Sequence, residues 1–116
     1  MKVESLKNKK DFDRVFSGKK SFGNRHFTLL YAPNGLEISR LGIIVSKKIS
    51  KRAVVRNKLR RQVRETFCMN MDMIAGGYDL IIIPKACCTR EPYSVLEKSF
   101  QHLFYKTGLK QTGGRA

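Results

Sequence analysis

K-K-I-S-K-R-A-V-V-R-N-K-L-R-R-Q-V-R-E, residues 47–65, is the stretch from which the rest of the chain is placed. It carries nine cations (Lys47, Lys48, Lys51, Arg52, Arg56, Lys58, Arg60, Arg61 and Arg64) and no acid before Glu65. Arg52, Arg56, Arg60 and Arg64 recur every four residues, the spacing of one ridge along a helix. Val55, Leu59, Val63 and Phe67 recur at the same interval, one step out of phase. The pattern predicts a helix with an apolar docking stripe and a cationic flank beside it. Ser50 is the expected N-cap. Like charges at i, i+4 cost an isolated helix roughly 0.2–0.5 kcal/mol per pair. Four stacked arginines therefore do not serve stability. They suit a polyanion that supplies the missing charge, and the planar guanidinium favours bidentate phosphate contact. The bland alternative is a solvated basic face, against which stand the single sign of the charge and the bias toward arginine.

A chain of 116 residues suits one domain, residues 1–116, with one core. A formal charge of +15 points to nucleic acid or an anionic surface, and 41% hydrophobic residues separate it from a disordered basic tail. A membrane-surface helix would need an apolar face clear of its charges, and the basic helix is too interleaved for that. No run of 18 or more apolar residues and no apolar signal core occur, so the expected compartment is the cytoplasm. Cys68, Cys87 and Cys88 suit reduced thiols there. His26 and His102 are isolated, so no zinc site is expected. The nine acids are scattered, and no phosphate-binding, metalloprotease or nucleophile-elbow motif is present. The residues describe a nucleic-acid binder with no catalytic residue, no metal ligand and no small-molecule substrate.

Taken in order, residues 1–10 read as a loose basic lead-in, with flexibility expected at about 1–8 and again at 108–116. Phe12, Val15 and Phe16 fall at i, i+3, i+4 on a short helix capped by Asn8 or Ser5 and stopped at Ser17-Gly18. Phe12 and Phe16 serve either as core or, one or both, as stacking platforms for a single strand. A short strand and turn follow over 19–27. Residues 26–32 read as a strand with Phe27, Leu29 and Tyr31 on one face and His26, Thr28 and Leu30 on the other. Pro33-Asn34-Gly35 is a turn signal, and the strand over 40–46 makes 26–46 an expected antiparallel hairpin. Gly42 within it marks a bulge or a close approach. Beyond the basic helix, residues 78–84 form a continuous apolar run, the mark of a central strand buried on both faces. A final helix spans 94–106, with Gly108 as its C-cap. The order is helix, strands, basic helix, strand, helix: an α+β sandwich.

The run Arg56-Asn57-Lys58-Leu59-Arg60-Arg61-Gln62-Val63-Arg64-Glu65, following Ser46-Lys47-Lys48 and Ala53-Val54-Val55, resembles the protein subunit of bacterial ribonuclease P. Leu6, Asp11, Phe12, Val15 and Phe16 are similar to that family's first helix, and Asn24-Arg25-His26-Phe27 to the entry of its next strand. Residues 78–83 and 99–104 match its Y-D-x-I-I-I strand and S-x-x-H-L-F helix. Leu30 stands where the family often has an aromatic, with Tyr31 adjacent. The resemblance implies an α-β-β-β-α-β-α two-layer sandwich on a small mixed sheet, with a left-handed crossover, of the class of the second domain of ribosomal protein S5. It implies the protein subunit of an endoribonuclease that removes the 5′ leader of precursor tRNA, with catalytic groups and Mg²⁺ supplied mainly by an RNA subunit. Lys47, Lys48, Lys51, Arg52, Arg56, Asn57, Lys58, Arg60, Arg61 and Arg64 would meet that RNA. Phe12, Phe16, Arg25, Leu30 and Tyr31 would meet the leader. A structural RNA-binding protein, such as a ribosomal protein, would share the charge and size but would not need the first-helix aromatics and the R-N helix in one frame.

Overall fold

Tyr78–Pro84 is apolar on both faces, so it needs neighbours on both edges and cover on both sides. The computed structural model, which describes residues 4–6, 8–18, 20–70, 74 and 76–107, puts this strand in the middle of the sheet. The elements in chain order are β1 (Glu4–Ser5), α1 (Lys9–Ser17), β2 (Ser21–Gly23), β3 (Phe27–Pro33), β4 (Arg40–Ile43), α2 (Ala53–Met69), β5 (Tyr78–Pro84), a 3₁₀ turn (Ala86–Arg90) and α3 (Tyr93–Thr107). The sheet order is β1-β4-β5-β3-β2. β5 is antiparallel to β3, with Leu29 opposite Ile82, and parallel to β4, with Leu41 opposite Leu80. β4 and β5 are thus parallel neighbours joined through α2. The sheet is mixed and the fold α+β, in the expected element order once the two-residue β1 is added at one edge.

The expected hairpin of 26–46 does not form, because β5 lies between β3 and β4. Leu80, Ile81 and Ile82 are fully buried, and inserting their strand between the two others is what buries both its faces. The Asn34-Gly35 turn survives, with Gly35 at φ +73°, but it carries the chain over the start of β5. The Asn34 backbone N–H donates to the Gly77 carbonyl at 2.9 Å. Gly76 permits the crossing: a Cβ there would stand 2.3 Å from the Glu37 carbonyl oxygen. Residues 4–6, read as a loose lead-in, are part of the fold: β1 runs parallel to β4, and Leu6 is buried. Asn8, in the same expected flexible end, is the N-cap position of α1, and its carbonyl accepts from the Asp11 N–H at 3.0 Å. Residues 1–3, 7 and 108–116, with Gly108 among them, lie outside the described residues.

One face of the sheet carries α2 and α3. Leu59, Val63 and Phe67 of α2 and Leu96, Phe100, Leu103 and Phe104 of α3 pack on Phe27, Leu29, Leu41, Leu80 and Ile82. Phe100 anchors this layer, with ring centroids 6.1 Å from Phe27, 6.3 Å from Phe67 and 5.0 Å from Phe104. Burying each such ring contributes roughly 1.5–3 kcal/mol. These two layers are the sandwich. α1 covers part of the other face, where Val15 meets Leu6, Ala32 and Ile81. Gly42 is a close approach: a Cβ there would lie 2.8 Å from the Phe12 ring.

Candidate nucleic-acid interface

The basic helix spans Ala53–Met69, but Ser50 is not its cap. Arg52 is the N-cap, and no side chain caps the first turn. The Ser50 hydroxyl instead accepts from the Arg52 N–H at 3.2 Å, holding the turn before the helix. The Ser50 carbonyl accepts from the Arg56 guanidinium at 2.9 Å. Arg56 is therefore spent in part on its own chain, and the residues ahead of it pack as a turn rather than as a first helical coil. No acid offsets the N-terminal end of the helix dipole.

Along α2 the apolar stripe Leu59, Val63 and Phe67 is buried as the spacing predicts. Cations flank the stripe on both sides. On one flank Arg60 donates to Asn57 Oδ1 at 2.8 Å, and Arg64 donates to Ser5 Oγ at 3.0 Å. Asn57 thus orients an arginine within its own motif. On the other flank stands Lys58, and Arg61 points outward; both are exposed, as are Lys47, Lys48, Lys51 and Arg52 in the approach to the helix. The ion pairs among the described residues join Arg14 and Arg40 to Asp79, Arg40 to Asp11, and His26 to Glu91. None of them reaches Lys47, Lys48, Lys51, Arg52, Arg56, Lys58, Arg60 or Arg61.

The second surface is the sheet face that α1 only partly covers. Phe12 is half-buried and Phe16 is 44% exposed, and their i, i+4 spacing sets them on one flank of the helix. Leu30 is half-buried on this face, beside Ile44 and Ile83. Tyr31 is not with them. Strand alternation turns it to the opposite face, where its ring meets Tyr78 at 6.3 Å and packs on the main core. Arg25 is exposed in the β2–β3 turn, at the far end of β3 from α1. At the β1–β4 edge the two surfaces meet. A pocket of about 220 Å³ is lined there by Phe12 of α1, by Gly42 and Ser5, and by Arg60 and Arg64 of α2.

Two features of this face escape a reading of the spacing. The first is a buried ion network. Asp79 is fully buried and accepts from Arg40 at 2.7 Å through both oxygens, from Asn34 at 3.0 Å, and from Arg14 of α1. Arg14 also donates to the Pro33 carbonyl at 2.6 Å. Burial alone would raise the Asp79 carboxyl, but hydrogen bonds from Arg40 and Asn34 and the charges of Arg40 and Arg14 hold it below the ordinary carboxylate range. The network clamps α1 across the sheet and so fixes where Phe12 and Phe16 sit. Its signal was one acid inside an apolar strand, which demands a partner. The second feature is Lys85, which donates to the Asn24 carbonyl at 2.5 Å. Its Nζ lies 3.8 Å from where a Cβ of Gly23 would be, on the partly covered face.

Among the described residues no three His, Cys, Asp or Glu side chains stand together as a metal would require, and no helix is long and apolar enough to cross a membrane. A family model described as Ribonuclease P matches residues 1–108. The ribonuclease P protein component of Caldanaerobacter subterraneus subsp. tengcongensis is 36% identical over 108 residues, covering 93% of this chain and 92% of that one. The structure of the Staphylococcus aureus RNase P protein superimposes with a TM-score of 0.84 at 30% identity, over 95% of this chain and 100% of that one. That of the RNase P protein from Thermotoga maritima gives 0.79 at 36% identity, over 86% and 94%.

Proposed function

This chain belongs to the ribonuclease P protein family, and on that premise we propose that it docks a catalytic RNA subunit on α2 and holds the 5′ leader of precursor tRNA on the face beneath α1. The observation that carries this reading is the pocket at the β1–β4 edge, where Phe12 and the α2 arginines share one wall. An RNA on α2 and a single strand on the α1 face would meet there. The strand would pass from the apolar face to the cationic helix without crossing the protein.

The division of labour follows from residue chemistry. Lys47, Lys48, Lys51, Arg52, Arg56, Lys58, Arg60, Arg61 and Arg64 neutralise phosphates, and Asn57 orients Arg60. Phe12, Phe16 and Leu30 offer apolar surface to bases, worth about 1–3 kcal/mol per stacked base and tolerant of sequence. Arg25 and Lys85 hold backbone phosphates at the far end of that face, while Tyr31 contributes through the core. Mg²⁺ held mainly by the RNA subunit would supply the activation of the attacking water. The chain's part is to reduce repulsion between two polyanions and to position the scissile junction. We read the protein as cytoplasmic, in keeping with its three free thiols.

The test is reconstitution. The protein, a bacterial ribonuclease P RNA and 5′-labelled precursor tRNA are mixed at low Mg²⁺, and leader release is followed. Release that needs both protein and RNA is expected. Binding of the RNA without rescue of cleavage would leave a structural RNA-binding protein as the better reading.

A further inference from the structure

We infer that the hollow between α2 and the 3₁₀ turn receives one unpaired nucleobase of the RNA partner, read by Gln62 and Glu91. The inference rests on the reading that α2 docks RNA, and adds a base contact to a surface otherwise described by charge. The hollow is about 90 Å³, floored by Leu59 and Cys88 and rimmed by Lys58, Gln62, Thr89 and Glu91. It opens on the α2 flank opposite the arginine ridge, so it adjoins the cationic surface without belonging to the leader face.

The size suits a single ring. A sealed cavity of about 150 Å³ takes benzene. This one is smaller but open on one side, so a flat ring enters edge first and its sugar and phosphate stay outside, where Lys58 stands. The floor is closed to solvent and chemically quiet, since the buried Cys88 thiol donates to the His26 carbonyl at 3.0 Å. The rim is a mixed set of donors and acceptors, as a base edge requires. Among the described residues the Gln62 amide makes no hydrogen bond of its own, which leaves both its ends for a ligand. The Thr89 hydroxyl donates to the Ala86 carbonyl at 2.9 Å, which leaves its lone pairs to accept.

Glu91 is the decisive residue. A carboxylate beside a helix that grips phosphates repels the partner unless the partner presents N–H groups to it. The exocyclic amino group of cytosine, a single-ring base, does so, and the Gln62 amide N–H can donate to the ring nitrogen beside it. Glu91 is also held in place: His26 Nε2 lies 3.4 Å from Oε2, and the His26 ring is itself fixed by Ser99 Oγ at 2.9 Å. A carboxylate positioned in this way by a buried imidazole serves as an acceptor rather than as a loose surface charge.

The experiment measures affinity for the RNA subunit across a series of KCl concentrations, for wild type, Glu91→Gln and Gln62→Ala. Each variant is expected to bind roughly 10-fold more weakly, with the slope of log K against log salt unchanged, because a base contact and not a phosphate contact is lost. Lys58→Ala is the contrast, with a slope smaller by about one. A carboxylate that merely borders the RNA predicts the opposite sign, since Glu91→Gln would then bind more tightly. Tighter or unchanged binding, or a changed slope, overturns the inference. If Glu91→Gln melts at a lower temperature through loss of the His26 contact, Gln62→Ala decides: unchanged affinity overturns, and a weaker complex of the same slope supports. A folded wild type that fails to bind the RNA sinks the functional reading as well. A wild type that binds while Glu91→Gln binds more tightly sinks this inference alone.

Discussion

Gly42→Ala separates the two surfaces with one methyl group. The new Cβ would stand 2.8 Å from Cε1 and Cζ of Phe12 and 3.4 Å from the Leu6 Cβ. Carbon atoms rest at about 3.5–4.0 Å, so the Phe12 ring must retreat by roughly 1 Å. The atoms that clash are the far end of a half-buried side chain, which can swing toward solvent. The stability cost is therefore that of a displaced rotamer, about 0.5–1.5 kcal/mol. Removing a glycine from the unfolded chain returns about 0.4–1 kcal/mol. The two nearly cancel, and the urea midpoint is expected to move by little. The functional effect should be larger. A displaced Phe12 loses part of one base platform, and the lower end of the stacking range corresponds to a roughly 5–10-fold loss of precursor affinity. The assay is binding of the assembled RNA–protein complex to two precursor tRNAs, one with a leader of several nucleotides and one with a single nucleotide. The loss is predicted for the long leader alone, with affinity for the RNA subunit intact. An equal loss for both substrates, or a parallel loss of RNA-subunit affinity, would refute the assignment of Phe12 to the leader.

Three further outcomes are expected. Asp79→Asn strips the clamp from Arg14 and Arg40; because both guanidiniums are partly exposed, the loss should be near 2 kcal/mol, below the roughly 3–5 kcal/mol of a fully buried pair, as a urea titration would show. The wild-type Asp79 carboxyl is held below its unfolded value near 3.9, so its contribution is complete above that pH and disappears as pH falls through the depressed folded value; an acid titration of the Asn variant should lack this component. Arg61→Ala, on the outward side of α2, should reduce the salt slope of RNA-subunit binding by about one while leaving the urea midpoint in place. Burial pushes the Cys88 thiol up to about 11, so iodoacetamide at pH 8 should label Cys88 in the native protein far more slowly than after unfolding, and equal rates would contradict its burial.

The parts of the fold with strong periodicity were legible in the sequence. The stripe at Val55, Leu59, Val63 and Phe67 set the register of α2, and the Tyr78–Ile83 run identified the central strand. What sequence could not order was the sheet. A turn signal at Asn34-Gly35 describes a local reversal, and nothing local says whether the strand it precedes will pair at once or be displaced by a more apolar strand that arrives some 35 residues later. β1 was invisible for a related reason, since two residues carry no period, and it is Leu6 that ties them down. Ser50 misled because an ST turn and an N-cap use the same hydroxyl. Within the site, charge was readable and geometry was not. That Arg56 folds back on Ser50, that Asn57 steers Arg60, and that Asp79 fastens α1 all depend on contacts across 3 to 65 residues. Tyr31 and Leu30 are adjacent in sequence and on opposite faces in space, as strand alternation alone predicts; which of the two faces α1 would leave partly open was not legible.

The central claim is that two faces of one small domain hold two different RNAs. The most direct measurement places a photo-crosslinking residue at position 16 or at position 61, assembles the complex with its RNA subunit and labelled precursor tRNA, and maps the products. The account predicts that position 16 captures the 5′ leader and position 61 captures the RNA subunit. Crosslinks from position 16 confined to the RNA subunit, or from position 61 to the leader, would contradict it.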